Sequence, residues 1–158
     1  MNWKRPSMLI ALGVILLGAA AFFVLPRVID PAYPLDKTDH ISSWEWQGAY
    51  QDQRANVEQT IRDMQNQIGE NGQDTYDLYV GIASEYELLG DGKNSYRYLS
   101  KAIAKDKKRG IAYLNMGHLM AELGAFETAR KAYTEAAKVE PDNPIYQSAL
   151  QAFLAEHP

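Results

Sequence analysis

The sequence predicts an all-α fold in which two helical hairpins stack on each other. The main observation is a repeat, because the pattern of residues 76–109 recurs 34 positions later without an insertion. At the position where a turn between two helices is needed, the first copy has Gly90 and the second has Gly124. The composition, 46% hydrophobic and 23% charged, is typical of an ordered chain.

The matched positions keep their size, with large residues where a core must be filled and small ones where helices must touch. The eight pairs are Tyr79/Tyr113, Ile82/Met116, Ala83/Gly117, Tyr86/Met120, Gly90/Gly124, Ser95/Ala129, Leu99/Tyr133 and Ala102/Ala136. This period and order resemble the tetratricopeptide repeat (TPR) family. The second copy adds Pro141 at the terminal proline position, where the first has Lys107. The resemblance implies an α-solenoid, a TPR-like stack whose open faces need flanking helices.

We divide the chain into four parts. They are a transmembrane anchor at 1–26, a Pro-rich linker at 27–41, a lead-in helix at 42–72, and a repeat domain at 73–158 with repeats at 76–109 and 110–143 and a C-terminal capping helix.

The predicted anchor is the charge-free apolar run from Met8 to Leu25, whose length of about 18 residues just suffices to cross a bilayer as a helix. Positive charge precedes it, so the positive-inside rule puts the N-terminus in the cytoplasm and the TPR domain on the periplasmic or extracytoplasmic side. The anchor residues are Trp3, Lys4, Arg5, Leu9, Leu12, Leu16, Phe22 and Phe23. A cleaved signal peptide with an Ala19-x-Ala21 site is the alternative to this signal-anchor.

The linker and the lead-in helix connect the anchor to the repeats. Three prolines between positions 26 and 34 predict an extended spacer that holds the domain off the bilayer. Ser42 and Glu45 have the spacing of a capping box, which predicts that a helix begins at Ser42 and covers the open face of the first repeat. Alternatively, the aromatic residues Trp44, Trp46 and Tyr50 could lie against the membrane surface.

Capping residues and the apolar rhythm set the remaining helix boundaries. Asp74 is the predicted N-cap of the first repeat helix, which ends at Leu89, and Asn143 with Pro144 begins the last helix. The predicted ranges between them are 93–106, 110–123 and 126–139, with the last helix at 145–156.

Little in the sequence indicates chemistry. There is no cysteine, and among the three histidines only His118 has a possible co-ligand, Glu122, one helical turn away. Such a pair is more often a surface hydrogen bond than half of a metal site. We therefore predict no catalytic residue, metal or cofactor, and no enzyme. From residue 28 onward 13 basic residues face 20 acidic ones, a net charge of −7 that disfavours nucleic acid as a partner.

The TPR resemblance implies a concave groove, lined by the first helix of each hairpin, that receives a peptide or helix of a partner. Carried over position by position, the partner-binding residues are Val80, Ser84, Glu87, Ile111, Leu114, Asn115, His118 and Glu122. Of the polar clamp that the family uses for a C-terminal carboxylate, only Asn115 is present. We therefore expect an apolar or basic partner segment rather than a carboxylate tail.

A second surface feature is a basic ridge along the second helix of the first hairpin. It consists of Lys93, Arg97, Lys101, Lys105 and Lys108, three or four residues apart. The pattern fits a solvated face, and it also fits a docking strip for anionic lipid or for an acidic partner.

These observations together predict a membrane-anchored scaffold, assembly factor or adaptor on the non-cytoplasmic side. Its partners would be another protein and, through the N-terminal helix, membrane lipid. The alternative is a structural accessory subunit of a larger membrane complex that docks through its transmembrane and lead-in helices.

Overall fold

The computed structural model describes residues 32–70 and 75–158, and within these ranges it contains six α-helices. They are α1 (Arg54–Glu70), α2 (Tyr76–Leu89), α3 (Gly92–Lys105), α4 (Ile111–Glu122), α5 (Phe126–Val139) and α6 (Pro144–Glu156). None of the helices in this part of the chain is long and apolar enough to span a bilayer. The predicted anchor, Met8–Leu25, lies outside the described residues.

The helices form the predicted stack of hairpins. Helix α2 pairs with α3 and α4 pairs with α5, while α3 packs on α4 and joins the two hairpins. Helix α1 covers α2 at one end and α6 covers α5 at the other. The described residues therefore confirm an all-helical, TPR-like architecture with flanking helices.

Small residues allow the helices to approach closely, as the repeat pattern predicts. Ala83 on α2 and Ala102 on α3 are fully buried, as are Ala129 and Ala136 in the second hairpin. A Cβ atom on Gly117 would lie 2.8 Å from the ring of Tyr133, so only glycine fits there without a shift. The large and small positions of the repeat are thus complementary surfaces of one core.

The two hairpin turns also form at the predicted glycines. Gly90 has φ +76° and Gly124 has φ +75°, which is the left-handed conformation that favours glycine at a helix C-terminus. Asn143 caps α6 by accepting a hydrogen bond from the backbone N–H of Ile145 at 3.0 Å, and Pro144 is its first residue, as predicted. The N-cap of α2 is not the predicted residue. It is Thr75, whose side chain accepts a hydrogen bond from the backbone N–H of Leu78 at 3.3 Å. Asp74, the residue predicted for this role, lies outside the described residues.

The prediction that a helix begins at Ser42 is wrong. Helix α1 starts at Arg54, after a short 3₁₀ turn, and residues 41–50 form bends, a turn and one isolated bridge instead of a helix. The reason is a backbone pairing with the first hairpin turn, in which Trp46 N–H donates to Gly90 O at 3.1 Å and Gly92 N–H donates to Trp44 O at 2.8 Å. A helix would use these groups internally, so the two arrangements exclude each other.

The described part of the linker is not a free spacer either. Residues 32–50, which we call the strap, lie along the repeat domain instead of standing away from it. Tyr33 is 9% exposed, and its backbone N–H donates to Ser100 Oγ on α3 at 2.9 Å. Further along, Asp36 N–H donates to Thr128 Oγ1 on α5 at 2.8 Å. Burial of the Tyr33 side chain and these hydrogen bonds offset the entropy lost on ordering the strap.

The strap also supplies a cap that α5 lacks. The N-cap position of α5 is Ala125, which has no side-chain acceptor. Asp39 of the strap takes this role, since its two carboxylate oxygens accept from Glu127 N–H at 3.0 Å and Thr128 N–H at 2.8 Å. A distant acidic residue thus satisfies free backbone donors and stabilises the positive end of the helix dipole.

The close contact at Gly117 generates a stability prediction. Gly117→Ala should lower the free energy of unfolding by up to about 2 kcal/mol, because overpacking against Tyr133 costs about 1–3 kcal/mol and the helix-propensity gain returns only roughly 1 kcal/mol. Gly81→Ala is the matched control in α2, where the new Cβ would lie 3.4 Å from the flexible Met64 side chain. Urea unfolding should show the control unchanged or more stable, and equal behaviour of both variants would contradict this packing.

The cap across the strap generates a second prediction. Asp39→Ala should destabilise the protein by about 1–2 kcal/mol, the usual effect of losing an N-cap acceptor. Asp39→Asn should retain most of the stability, because an amide oxygen also accepts from the helix terminus. Asp142→Ala, at an exposed turn, serves as a control of equal charge change. Thermal unfolding distinguishes these cases, and an Asp39→Ala protein as stable as the control would rule out the cap.

Candidate partner-binding cleft

A cleft of about 320 Å³ opens between the C-terminal ends of α2 and α4 and the strap. It is lined by Trp46, Glu87, His118, Leu119 and Glu122. Three of these, Glu87, His118 and Glu122, belong to the groove predicted from the sequence. The first helices of both hairpins therefore bring part of the predicted set together.

Glu87 is the most enclosed ionisable group of the cleft. It lies in the last turn of α2, and its Oε1 accepts a hydrogen bond from the hydroxyl of the fully buried Ser95 at 2.9 Å. Burial raises the pKa of the Glu87 carboxyl above its ordinary value of 4.5, and the Ser95 hydrogen bond acts in the opposite direction. A cationic group placed beside Glu87 would compensate for this desolvation.

His118 and Glu122 lie one turn apart on α4 and face the same cleft. The His118 ring packs against Tyr133, with 5.4 Å between centroids, although the residue as a whole is exposed. Burial of the imidazole lowers its pKa below the usual 6.5, which favours the neutral form. Glu122 is exposed at the end of α4. The cleft therefore holds two acidic side chains and one histidine.

Trp46 forms the aromatic wall of the cleft. The sequence did not predict this role, because the helix expected to begin at Ser42 included Trp46. The wall is held by the strap pairing and by Gly92, where a Cβ atom would lie 2.7 Å from the Trp46 ring. Trp44 beside it packs against Tyr96 with 5.2 Å between ring centroids. Both indole rings therefore contact the repeat domain, and the alternative in which the aromatic residues lie on the membrane stays a prediction. The glycine at position 92 was a signal that another element crosses this turn.

The other predicted groove residues do not line this cleft. Val80 and Ile111 pack partly against the core, and Ser84 Oγ donates to Val80 O at 3.2 Å within α2. The prediction that Leu114 lines the groove is wrong, because its side chain is only 6% exposed and packs in the core. Asn115 is half-buried. Positions 114, 118 and 122 lie on one face of α4, and this face is buried at Leu114 and exposed at His118 and Glu122.

The basic ridge follows α3 as its spacing predicts. Lys93, Arg97 and Lys105 are exposed, and Lys108 continues the row in the turn after the helix. Lys101 is held more closely, with Nζ 5.3 Å from the centre of the Tyr98 ring and 5.8 Å from that of Tyr79. These cation–π contacts give at least one member of the ridge a structural role.

The lining of the cleft offers contacts for binding. Within the described residues, no three His, Cys, Asp or Glu side chains are grouped so that they could hold a metal ion. The Glu87 carboxyl group accepts a hydrogen bond from the hydroxyl of Ser95 on α3. The cleft has an aromatic wall at Trp46, a buried floor at Leu119 and the carboxyl groups of two glutamates. This surface suits a cationic or apolar side chain.

Comparison with known proteins agrees with the architecture. The family model described as tetratricopeptide repeat matches residues 88–153, from the last turn of α2 into α6. No curated protein matches the chain. The family match supports a TPR protein, and TPR domains are typically non-enzymatic modules that bind other proteins.

Burial of Glu87 generates a prediction for the pH dependence of stability. Because the native pKa is raised, the folded state binds a proton more tightly than the unfolded state does. The resulting stabilisation is complete below pH 4.5 and is lost as the pH rises through the native pKa. Glu87→Gln, which keeps an acceptor for Ser95, should therefore be more stable than the wild type at pH 7 and equally stable at pH 4. Urea unfolding at both values measures this, and a difference independent of pH would contradict it.

Proposed function

We propose that the protein is a membrane-anchored scaffold whose repeat domain holds a segment of another protein in the cleft between α2 and α4. The single observation that carries this proposal is the acidic, aromatic-walled cleft on the helices that TPR domains use for binding. The partner segment is apolar or basic, because Glu87 and Glu122 attract a cation and Trp46 offers a ring face to it.

The membrane anchor is supported by the sequence. The run Met8–Leu25 carries no charge and is followed by Pro26, while Lys4 and Arg5 precede it. Under the positive-inside rule this pattern puts the repeat domain on the non-cytoplasmic side. The strap follows the proposed anchor in the sequence and is hydrogen-bonded to α3 and α5 through Tyr33 and Asp36, which supports a domain held close to its point of attachment.

This arrangement fits an assembly factor or adaptor that keeps its partner at the bilayer. A structural accessory subunit, docking through the anchor and α1, is the competing function. The two differ in their use of the cleft, because a subunit held by its anchor and α1 does not need Glu122 or Trp46. A change confined to the cleft rim therefore distinguishes them.

Charge reversal at the rim tests the cleft. Glu122→Lys should reduce capture of the partner from solubilised membranes by roughly ten-fold, because it places a like charge against a cationic segment. Glu122 is exposed, so folding should be unaffected. Quantitative mass spectrometry of affinity-purified wild type and variant measures the change for each co-purified protein.

The control is Glu156→Lys, an equal charge change at an exposed position in the last turn of α6. A protein that is lost with Glu122→Lys and kept with Glu156→Lys is bound in the cleft. Partners that are retained by both variants would instead support the accessory-subunit function.

A further inference from the structure

We propose that the cleft receives an arginine side chain of the partner segment, which places its guanidinium against Trp46 and beside the carboxyl groups of Glu87 and Glu122. This inference deepens the proposed function and rests on it. Three features of the cleft define this occupant. They are an enclosed carboxyl group with one open oxygen, an aromatic face, and a lining that supplies no cation of its own.

Glu87 supplies the enclosed carboxyl group, from the last turn of α2. Its Oε1 accepts a hydrogen bond from Ser95, whereas Oε2 accepts from no donor in the part of the chain that the structure describes. No buried side-chain oxygen in this part lacks a hydrogen-bond partner, so Oε2 is accessible to solvent. Because Glu87 lines the cleft, this oxygen is available to a donor that enters there.

The charges around the cleft favour a cation over an apolar side chain. Among the described residues that line it there is no lysine or arginine, and burial favours the neutral form of His118. Arg54 lines a different cavity beyond Trp46 and pairs with Glu58 at 2.9 Å. An apolar occupant would remove water from Glu87 without supplying a donor, which is costly for a carboxylate. A cation instead replaces the water with charge-assisted hydrogen bonds.

Trp46 favours arginine over lysine. A guanidinium is planar, so it stacks on an aromatic ring while its N–H groups, which lie in the same plane, donate to carboxyl oxygens. An ammonium group is a compact and more strongly hydrated charge, and it lacks a flat face for the indole. Arginine therefore uses the ring and the two glutamates at the same time.

The repeat domain already contains the same combination of groups. The guanidinium carbon of Arg109 lies 4.0 Å from the centre of the Tyr76 ring. Its NH1 and NH2 groups donate to the two carboxylate oxygens of Asp77 at 3.1 and 2.7 Å. An aromatic ring and a carboxylate of α2 thus hold a guanidinium in the manner that we infer for the cleft.

The test uses the full chain in detergent micelles, labelled with fluorotryptophan, and follows the fluorine NMR signal of Trp46. A Trp46→Phe variant assigns this signal. The probes are capped peptides in which alanines flank arginine, lysine, leucine or citrulline, the neutral isostere of arginine. The arginine peptide should shift the signal saturably and bind roughly ten-fold more tightly than the citrulline peptide, because only arginine donates charge-assisted hydrogen bonds.

A matched pair of variants locates the effect in the cleft. Glu122→Gln removes one charge at an exposed position without changing the size of the side chain. It should weaken binding of the arginine peptide by roughly two- to five-fold, the effect of one exposed ion pair, and leave the citrulline peptide unchanged. Glu156→Gln, at an exposed position of α6, should change neither affinity.

Equal affinities for the arginine and citrulline peptides would overturn the inference. Lysine or leucine peptides that bind as tightly as arginine would also overturn it, as would a Trp46 signal that no peptide shifts. A partner lost specifically with Glu122→Lys, combined with equal peptide affinities, would keep the proposed function and overturn the arginine subsite alone. Retention of every partner by Glu122→Lys would overturn both, because no partner segment then occupies the cleft.

Discussion

The backbone pairing between the strap and the first hairpin turn is the constraint on which the candidate site depends. Gly90 and Gly92 leave their carbonyl and amide groups accessible on either side of Asp91, and Trp44 and Trp46 bond to them. No side chain could replace the hydrogen at these glycines, because a Cβ at position 90 would lie 2.1 Å from Trp46 O. This pairing turns Trp46 into a wall of the cleft and removes the start of the predicted helix at Ser42.

Glycines also allow close packing within the repeat core, where they face aromatic rings of neighbouring helices. Gly117 accommodates the ring of Tyr133, and Gly110 accommodates that of Tyr146 on α6, where a Cβ would lie 2.3 Å from the ring. Large residues of one helix therefore fill the space that small residues of the next leave open. Two repeats bury their faces in this way only because α1 and α6 close the two ends of the stack.

Hydrogen bonds distant in sequence connect the strap to both repeats. Tyr33 joins α3, and Asp36 and Asp39 join the start of α5, where Lys131 also pairs with Asp36. The hydrogen bond from Lys131 holds the pKa of the Asp36 carboxyl well below its usual range. The strap is thus held against both repeats by hydrogen bonds and by the ion pair between Asp36 and Lys131.

Local pattern in the sequence determined the repeat helices, their glycine turns at positions 90 and 124 and the start of α6, and the resemblance to the TPR family suggested three residues of the cleft. These features depend on neighbours three or four residues away or on a fixed repeat period, so the sequence alone carries them. Tertiary structure alone decided the path of the strap, the cap of α5 by Asp39 and the place of Trp46. Those depend on groups 40 to 90 positions apart, and a capping-box spacing at Ser42 is outweighed when the same backbone finds partners in a distant turn.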